Sequence, residues 1–276
     1  GPFVPYMSGA NQIARTECAT DANTSLGCQA LQNLTTGERN TALGYQALLS
    51  ATNTIESTAI GYRALATEDG TVHHYNVAVG GRAGENITTG FSNILIGVNA
   101  GGAYTTQGNN VGVGHGVLSN NIGGQNTAVG RNALAGAGAG EYNVAVGYDA
   151  GTNITSGEKN VIIGAKAGDL MTTADYNVVI GYEAGGNLLS GYDNVLIGRN
   201  AGLSITSGLY NVVVGDNALN SEDAHGKNVA IGKAALASQN AGADAYNVAV
   251  GYDAGKTMST GIQSTLIGAF AGDALT

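Results

Sequence analysis

Tryptophan is absent from this chain, phenylalanine occurs three times, and proline and cysteine occur twice each. With so few prolines and no Gly-X-Y triplet, the 45 glycines in 276 residues do not signal a collagen-like rod. Charge is scarce as well, at 11% of residues, and what there is leans acidic, to a net −9. Such a chain lacks the basic surface that phosphate backbones and anionic lipids select, so no nucleic-acid partner is expected. No run of about eighteen apolar residues occurs, which argues against membrane insertion of this segment. The apolar share of 43% is nevertheless too high for a disordered chain. The two cysteines, Cys18 and Cys28, stand ten apart; two unpaired thiols are the expectation, with a capping disulfide as the alternative, because cysteine count alone does not fix the redox state. The opening Gly1-Pro2 reads as the remnant of a cleavage site and says nothing about targeting.

What the chain has instead is one phrase repeated. It reads NTALGYQA from Asn40, NVAVGGRA from Asn76, NILIGVNA from Asn93, NVIIGAKA from Asn160 and NVAVGYDA from both Asn143 and Asn247. Fifteen copies begin at residues 23, 40, 57, 76, 93, 110, 126, 143, 160, 177, 194, 211, 228, 247 and 264, in steps of 17 with two of 19 and one of 16. A unit this short cannot bury an apolar face alone and must stack on its neighbours, which predicts a solenoid.

Each unit can be numbered from its Asn. Position 2 is Thr, Val or Ile and position 4 is Val, Leu or Ile throughout, so a strand over these residues is expected to turn both toward the core. Position 3 would then point outward. It carries Ala42, Ala59, Ala78, Leu95, Ala128, Ala145, Ile162, Val179, Leu196, Val213, Ala230, Ala249 and Leu266, none of them charged. Apolar residues on both sides of a strand imply burial on both sides. We therefore expect position 3 to form an outer stripe covered by a second copy of the chain, with three solenoids about one axis making a homotrimer. Position 5 is Gly in every unit and position 8 is Ala in all but one, where Val117 stands. They suggest a bend followed by a second short strand. Polar returns such as Asn153–Lys159 close the coil with a turn. At the spacing between paired strands, fifteen coils would make a rod roughly 70 Å long.

Position 9 alternates between Leu (Leu31, Leu48, Leu65, Leu118, Leu134, Leu219, Leu236) and Gly, and most Gly units place an apolar residue three positions on. These look like two turn designs plugging one gap. Residues 1–22 break the pattern and read as a lead or cap, with residues 23–276 as the solenoid domain. An open-ended stack is an aggregation liability, so the natural protein is expected to continue past the last coil.

Catalytic patterns are poor, and no enzyme activity is expected. His73 and His74 share a long return with Glu68 and Asp69, but adjacent residues of an extended segment point apart, and the segment reads as a solvent-exposed loop without a metal. Strings such as Gly112-Val113-Gly114 come from the repeat and open no helix, so no cofactor is implied. Asp149, Asp193, Asp216 and Asp253 lack the spacing of a calcium-binding repeat. Glu68/Asp69 and Glu222/Asp223 are adjacent carboxylates, weak support for a depolymerase. Tyrosines precede the unit Asn (Tyr75, Tyr142, Tyr176, Tyr210, Tyr246) or follow the unit Gly (Tyr45, Tyr62, Tyr148, Tyr182, Tyr252), either as a structural ladder or as a contact surface. The position 1 Asn is expected to form an amide ladder between coils.

The phrase N-[TV]-A-[VIL]-G-x-x-A, carried from about Asn23 to Gly272, resembles the head repeats of YadA-type trimeric autotransporter adhesins and the repeat tracts of phage tail fibres. The adhesin unit is usually shorter, nearer fourteen residues, so the step of 17 sits closer to the fibre tracts. The resemblance implies a left-handed parallel β-roll packed as a homotrimer, extracellular on a virion tail fibre or bacterial surface. It further implies host attachment through a cell-surface glycan or protein receptor. An alternative reading is a bacterial adhesin head binding matrix protein or glycan. A weaker one is an ice-binding solenoid, whose Thr array would here be broken at Leu189-Ser190.

Overall fold

The structure, a computed structural model, describes residues 15–16, 22–70 and 73–274. It is an all-β parallel solenoid of about 14 turns, with no helix among the described residues. No helix there is long and apolar enough to cross a membrane. Its contacts divide it into two compact units, Gly1–Gln125 and Asn126–Thr276.

The first unit holds β1 (Arg15–Thr16), β2 (Thr24–Leu26), β3 (Thr41–Leu43), β4 (Thr58–Ile60), β5 (Val77–Val79), β6 (Ile94–Ile96) and β7 (Val111–Val113). The second holds β8 (Thr127–Val129), β9 (Val144–Val146), β10 (Val161–Ile163), β11 (Val178–Ile180) and β12 (Val195–Ile197). It continues with β13 (Val212–Val214), β14 (Val229–Ile231), β15 (Val248–Val250) and β16 (Thr265–Ile267). Within each unit the coil strands pair in parallel and in strict repeat register, Val161 on Val178 and Val178 on Val195. β1 alone runs antiparallel, against β2, with Arg15 opposite Ser25. The remainder of the expected lead, except Ala22, lies outside the described residues, as does Cys18; Cys28 is a free thiol.

The strands face the opposite way from the sequence reading. In β6, Ile94 is 40% and Ile96 38% exposed, while Leu95 between them is fully buried. Position 3 is the core row: Ala42, Ala59, Ala78, Leu95, Ala128, Ala145, Ile162, Val179, Leu196, Val213, Ala230 and Ala249 are all buried within their own coils. Leu266 in the last strand and Ser25 in β2 are part-exposed. The expected outer stripe is therefore an inner one. The physical cause is the position 1 Asn, which is buried in nearly every coil. Residues two apart in a strand share a face, so burying Asn at position 1 commits position 3 to the interior and sends positions 2 and 4 out.

The amide ladder itself is as expected. In the second unit the N–H of Asn143, Asn160, Asn177 and Asn194 each donates to Oδ1 of the preceding Asn at 2.9–3.0 Å. Each Nδ2 in turn donates to a return carbonyl, as Asn143 does to Gly157 and Asn194 to Gly208, both at 2.8 Å. A buried amide with its donors and acceptor engaged is stabilising, whereas an orphaned one would cost about 1–3 kcal/mol.

Position 5 needs glycine for two reasons. Gly80 has φ of +135°, and a Cβ there would lie 2.5 Å from the Gly97 carbonyl oxygen of the next coil. The second short strand expected after it is absent among the described residues; that segment is turn, stepped by positive φ at positions 7 and 9, as at Arg63 (54°) and Leu65 (49°). Alternating left-handed residues break the pleat, so this side of the coil is a stack of hydrogen-bonded turns in which Leu65 N–H donates to the Ala83 carbonyl at 3.0 Å. The position 8 alanines, Ala83 and Ala100 among them, are buried beneath it.

The two turn designs do fill one gap. A Cβ on Gly151 would sit 2.9 Å from Ile162 Cδ1, 3.1 Å from Leu134 Cδ2 and 3.2 Å from Ile154 Cδ1. The same interior space is thus taken by Leu at position 9 or by a plug at position 12: Ile87, Tyr104, Ile154, Met171, Leu188, Ile205 and Met258, all buried. In most Leu units position 12 carries a small or polar residue instead, and Ala51, Glu68, Glu222 and Gln239 there are buried; the first Leu unit keeps an apolar Leu34.

Candidate functional site

The outward face of the strands is a surface built by repetition. Side chains at positions 2 and 4 alternate with the buried position 3 along each strand and so emerge on one face. Positions 2 and 4 supply two largely aliphatic rows, the position 2 row interrupted by Thr24, Thr41, Thr58, Thr127 and Thr265; Leu43, Ile94, Ile96, Val129, Ile163, Val212 and Ile231 are all exposed. Rows of exposed β-branched and leucyl side chains on a pleated surface are rare on an isolated chain, because water gains nothing from them.

Tyrosines and cations flank those rows. Tyr45 and Tyr62 stack in successive coils, ring centroids 5.7 Å apart at 8°. Arg82 lies over the Tyr62 ring at 5.8 Å and Arg131 over Tyr148 at 5.7 Å. On the other edge Lys159 sits 4.8 Å from the Tyr176 ring centroid and donates to its hydroxyl at 2.9 Å. Lys227 does the same with Tyr246 at 3.0 Å, and with Asp244 at 2.6 Å, so its ammonium is held well above the usual lysine range. The tyrosines are thus exposed, and of the expected ladder Tyr45 and Tyr62 form a face-to-face stacked pair. Asp149, Asp216 and Asp253 are engaged with Asn132, Arg199 and Lys256.

The long return after β4 is not the exposed loop expected from sequence. His73 is exposed and stacks on Tyr75 at 5.4 Å, but Glu68 and His74 are completely buried. The unit here begins with Ser57 in place of Asn, so the ladder lacks one amide, and Glu68 reaches in from position 12. Ser57 Oγ donates to Glu68 Oε1 at 2.6 Å and Asn76 Nδ2 to Oε2 at 2.7 Å. Burial pushes the Glu68 carboxyl up to about 7, against the smaller opposing pull of those two hydrogen bonds. His74 Nδ1 lies 4.0 Å from Glu68 Oε1, and its burial lowers the imidazole. The periodic register was the available signal for Glu68, which occupies the plug position of its unit.

Comparisons with family models, with curated proteins and with solved structures give no match to this chain.

Proposed function

We propose that this chain is a non-enzymatic, extracellular segment of a homotrimeric fibre, of the kind that holds a receptor-binding surface on a virion tail and attaches it to a host cell. The observation that supports it is the outward pair of aliphatic rows. Fully covering a Val or Ile that is now part-exposed contributes about 25 cal/mol per Å² of apolar area removed from water. Rows repeated in coil after coil reward a partner that is equally long and equally periodic, and the partner that satisfies this is another copy of the chain. Three copies about one axis leave no face of this kind uncovered. The sequence resemblance to trimeric adhesin heads and tail-fibre tracts points the same way.

Light scattering on the purified chain tests the reading. The expected mass is three times the 27.5 kDa of one chain. A single-chain mass at micromolar concentration would sink it. The tyrosine and cation rows at the edges favour a second reading, a bacterial surface adhesin head that binds matrix protein or glycan. That reading gains ground if the trimer binds immobilised glycan and loses the binding on Tyr182→Ser.

A further inference from the structure

The return after β13 contains a cluster that neither the ladder nor the outward face uses. Glu222 stands at the plug position of its coil, is fully buried, and follows a coil whose plug is the apolar Ile205. Its Oε1 accepts the His225 backbone N–H at 3.3 Å, while Oε2 is buried without a hydrogen-bond partner. His225 Nδ1 is likewise buried and without a hydrogen-bond partner. It lies 3.5 Å from Glu222 Oε1 and 3.9 Å from Asp223 Oδ1. Ligand atoms of the three residues fall within 4.8 Å of one another.

Those spacings have a chemical meaning. Ligands about 2.1 Å from a tetrahedral zinc-type ion stand roughly 3.4 Å from each other. The observed separations, 3.5 and 3.9 Å, are close to that edge and stand at or beyond the outer limit of a hydrogen bond. One carboxylate oxygen and one imidazole nitrogen are orphaned at the same spot, a costly arrangement unless something satisfies both. A proton on Nδ1 could serve the carboxylate, but it would leave Oε2 bare. A cation serves all of them. Access is available as well, since the Asp223 side chain is 55% and His225 30% exposed, against none for Glu222. The cluster is thus walled by the solenoid on the Glu222 side and open on the Asp223 side.

We propose that Glu222, Asp223 and His225 form a binding site for a divalent transition cation of the zinc type, with water completing the shell, that pins this return to the stack. The ion would take one oxygen from each carboxylate and Nδ1 of the imidazole.

The test is titration of the full chain, stripped with chelator, with zinc chloride by calorimetry and with cobalt chloride by visible absorption. One ion per chain is expected, with an intense four-coordinate cobalt band and a higher melting temperature in the presence of zinc. His225→Ala and Glu222→Gln should each weaken binding at least tenfold, and His115→Ala should leave it unchanged. Glu222→Gln is sterically safe because Gln239 fills the corresponding position one coil on. Should it nonetheless unfold the chain, His225→Ala carries the test alone. The proposal is overturned if zinc fails to bind, or if binding survives both substitutions.

Discussion

At the scale of single residues, one buried carboxyl makes stability depend on pH. Glu68 is raised from an ordinary 4.5 to about 7 by burial, so the folded chain prefers it neutral. A raised folded-state value means its contribution is fully present below about 4.5 and is lost as pH rises through about 7. The shift corresponds to about 3 kcal/mol across that window. His74, whose value is lowered by the same burial, works the other way, contributing above its ordinary range and losing it as pH falls. Comparing wild type with Glu68→Gln separates the two, because the amide keeps the size and the hydrogen-bonding reach. Gln239, at the same place in the other long return, shows that the fold accepts it. Denaturant midpoints at pH 5 and pH 8 should show Glu68→Gln gaining on wild type by up to about 3 kcal/mol at the higher pH. An advantage that does not change between the two pH values would mean that Glu68 pays no charging penalty in the fold.

At the scale of one coil, the unit of design is the pair formed by positions 9 and 12. A Cβ at Gly168 would collide with Met171 Sδ, while Leu48 occupies the corresponding place above the small Ala51 with the same left-handed backbone, φ 49° against 50°. Gly168→Leu alone should overpack the coil by about 1–3 kcal/mol. Met171→Ala alone should leave a cavity costing about 2–4 kcal/mol. The double variant should cost less than their sum, with a coupling of at least about 1 kcal/mol by chemical denaturation. Simple additivity would mean that the two positions do not share a space. This exchange was legible in the sequence, because Gly at 9 was seen to travel with an apolar residue three later. The phase of the strand was not read correctly, although two readings already conflicted: Asn in a buried ladder at position 1 and position 3 facing out cannot both hold for a pleated strand. Positions 2 and 4, β-branched but for Leu26 and Leu43, look like a core, and the mixed sizes of position 3, from Gly112 to Leu196, look like a surface. They are the reverse, because the interior must adapt from coil to coil to whichever residue fills positions 9 and 12, and the outer rows need only be regular. Glu68, His74 and Glu222 were missed for a related reason. Residue type suggested loop, while their register within the repeat placed Glu68 and Glu222 among the plugs.

At the scale of the molecule, the alternation of faces separates folding from assembly, and one row can be changed without the other. Val161, Val195 and Val229 stand outward at position 2 in every second coil of the second unit, while Leu196 beside Val195 is wholly interior. Replacing the three valines with lysine places ammonium groups on the outer face, about two strand spacings apart, where a free chain can hydrate them. Buried between copies, each would cost several kcal/mol of desolvation with no partner carboxylate at hand. The expected outcome is a chain that keeps its β-rich circular dichroism and thermal transition but falls from trimer to monomer by light scattering. Leu196→Lys should do the opposite, because the ammonium would enter a coil interior that offers it no water, and the β signal should be lost before any question of assembly arises. If the triple lysine variant remains as large as wild type, the aliphatic rows are not the contact between copies. The fibre would then have to be held together through the tyrosine edges or the turn stack instead.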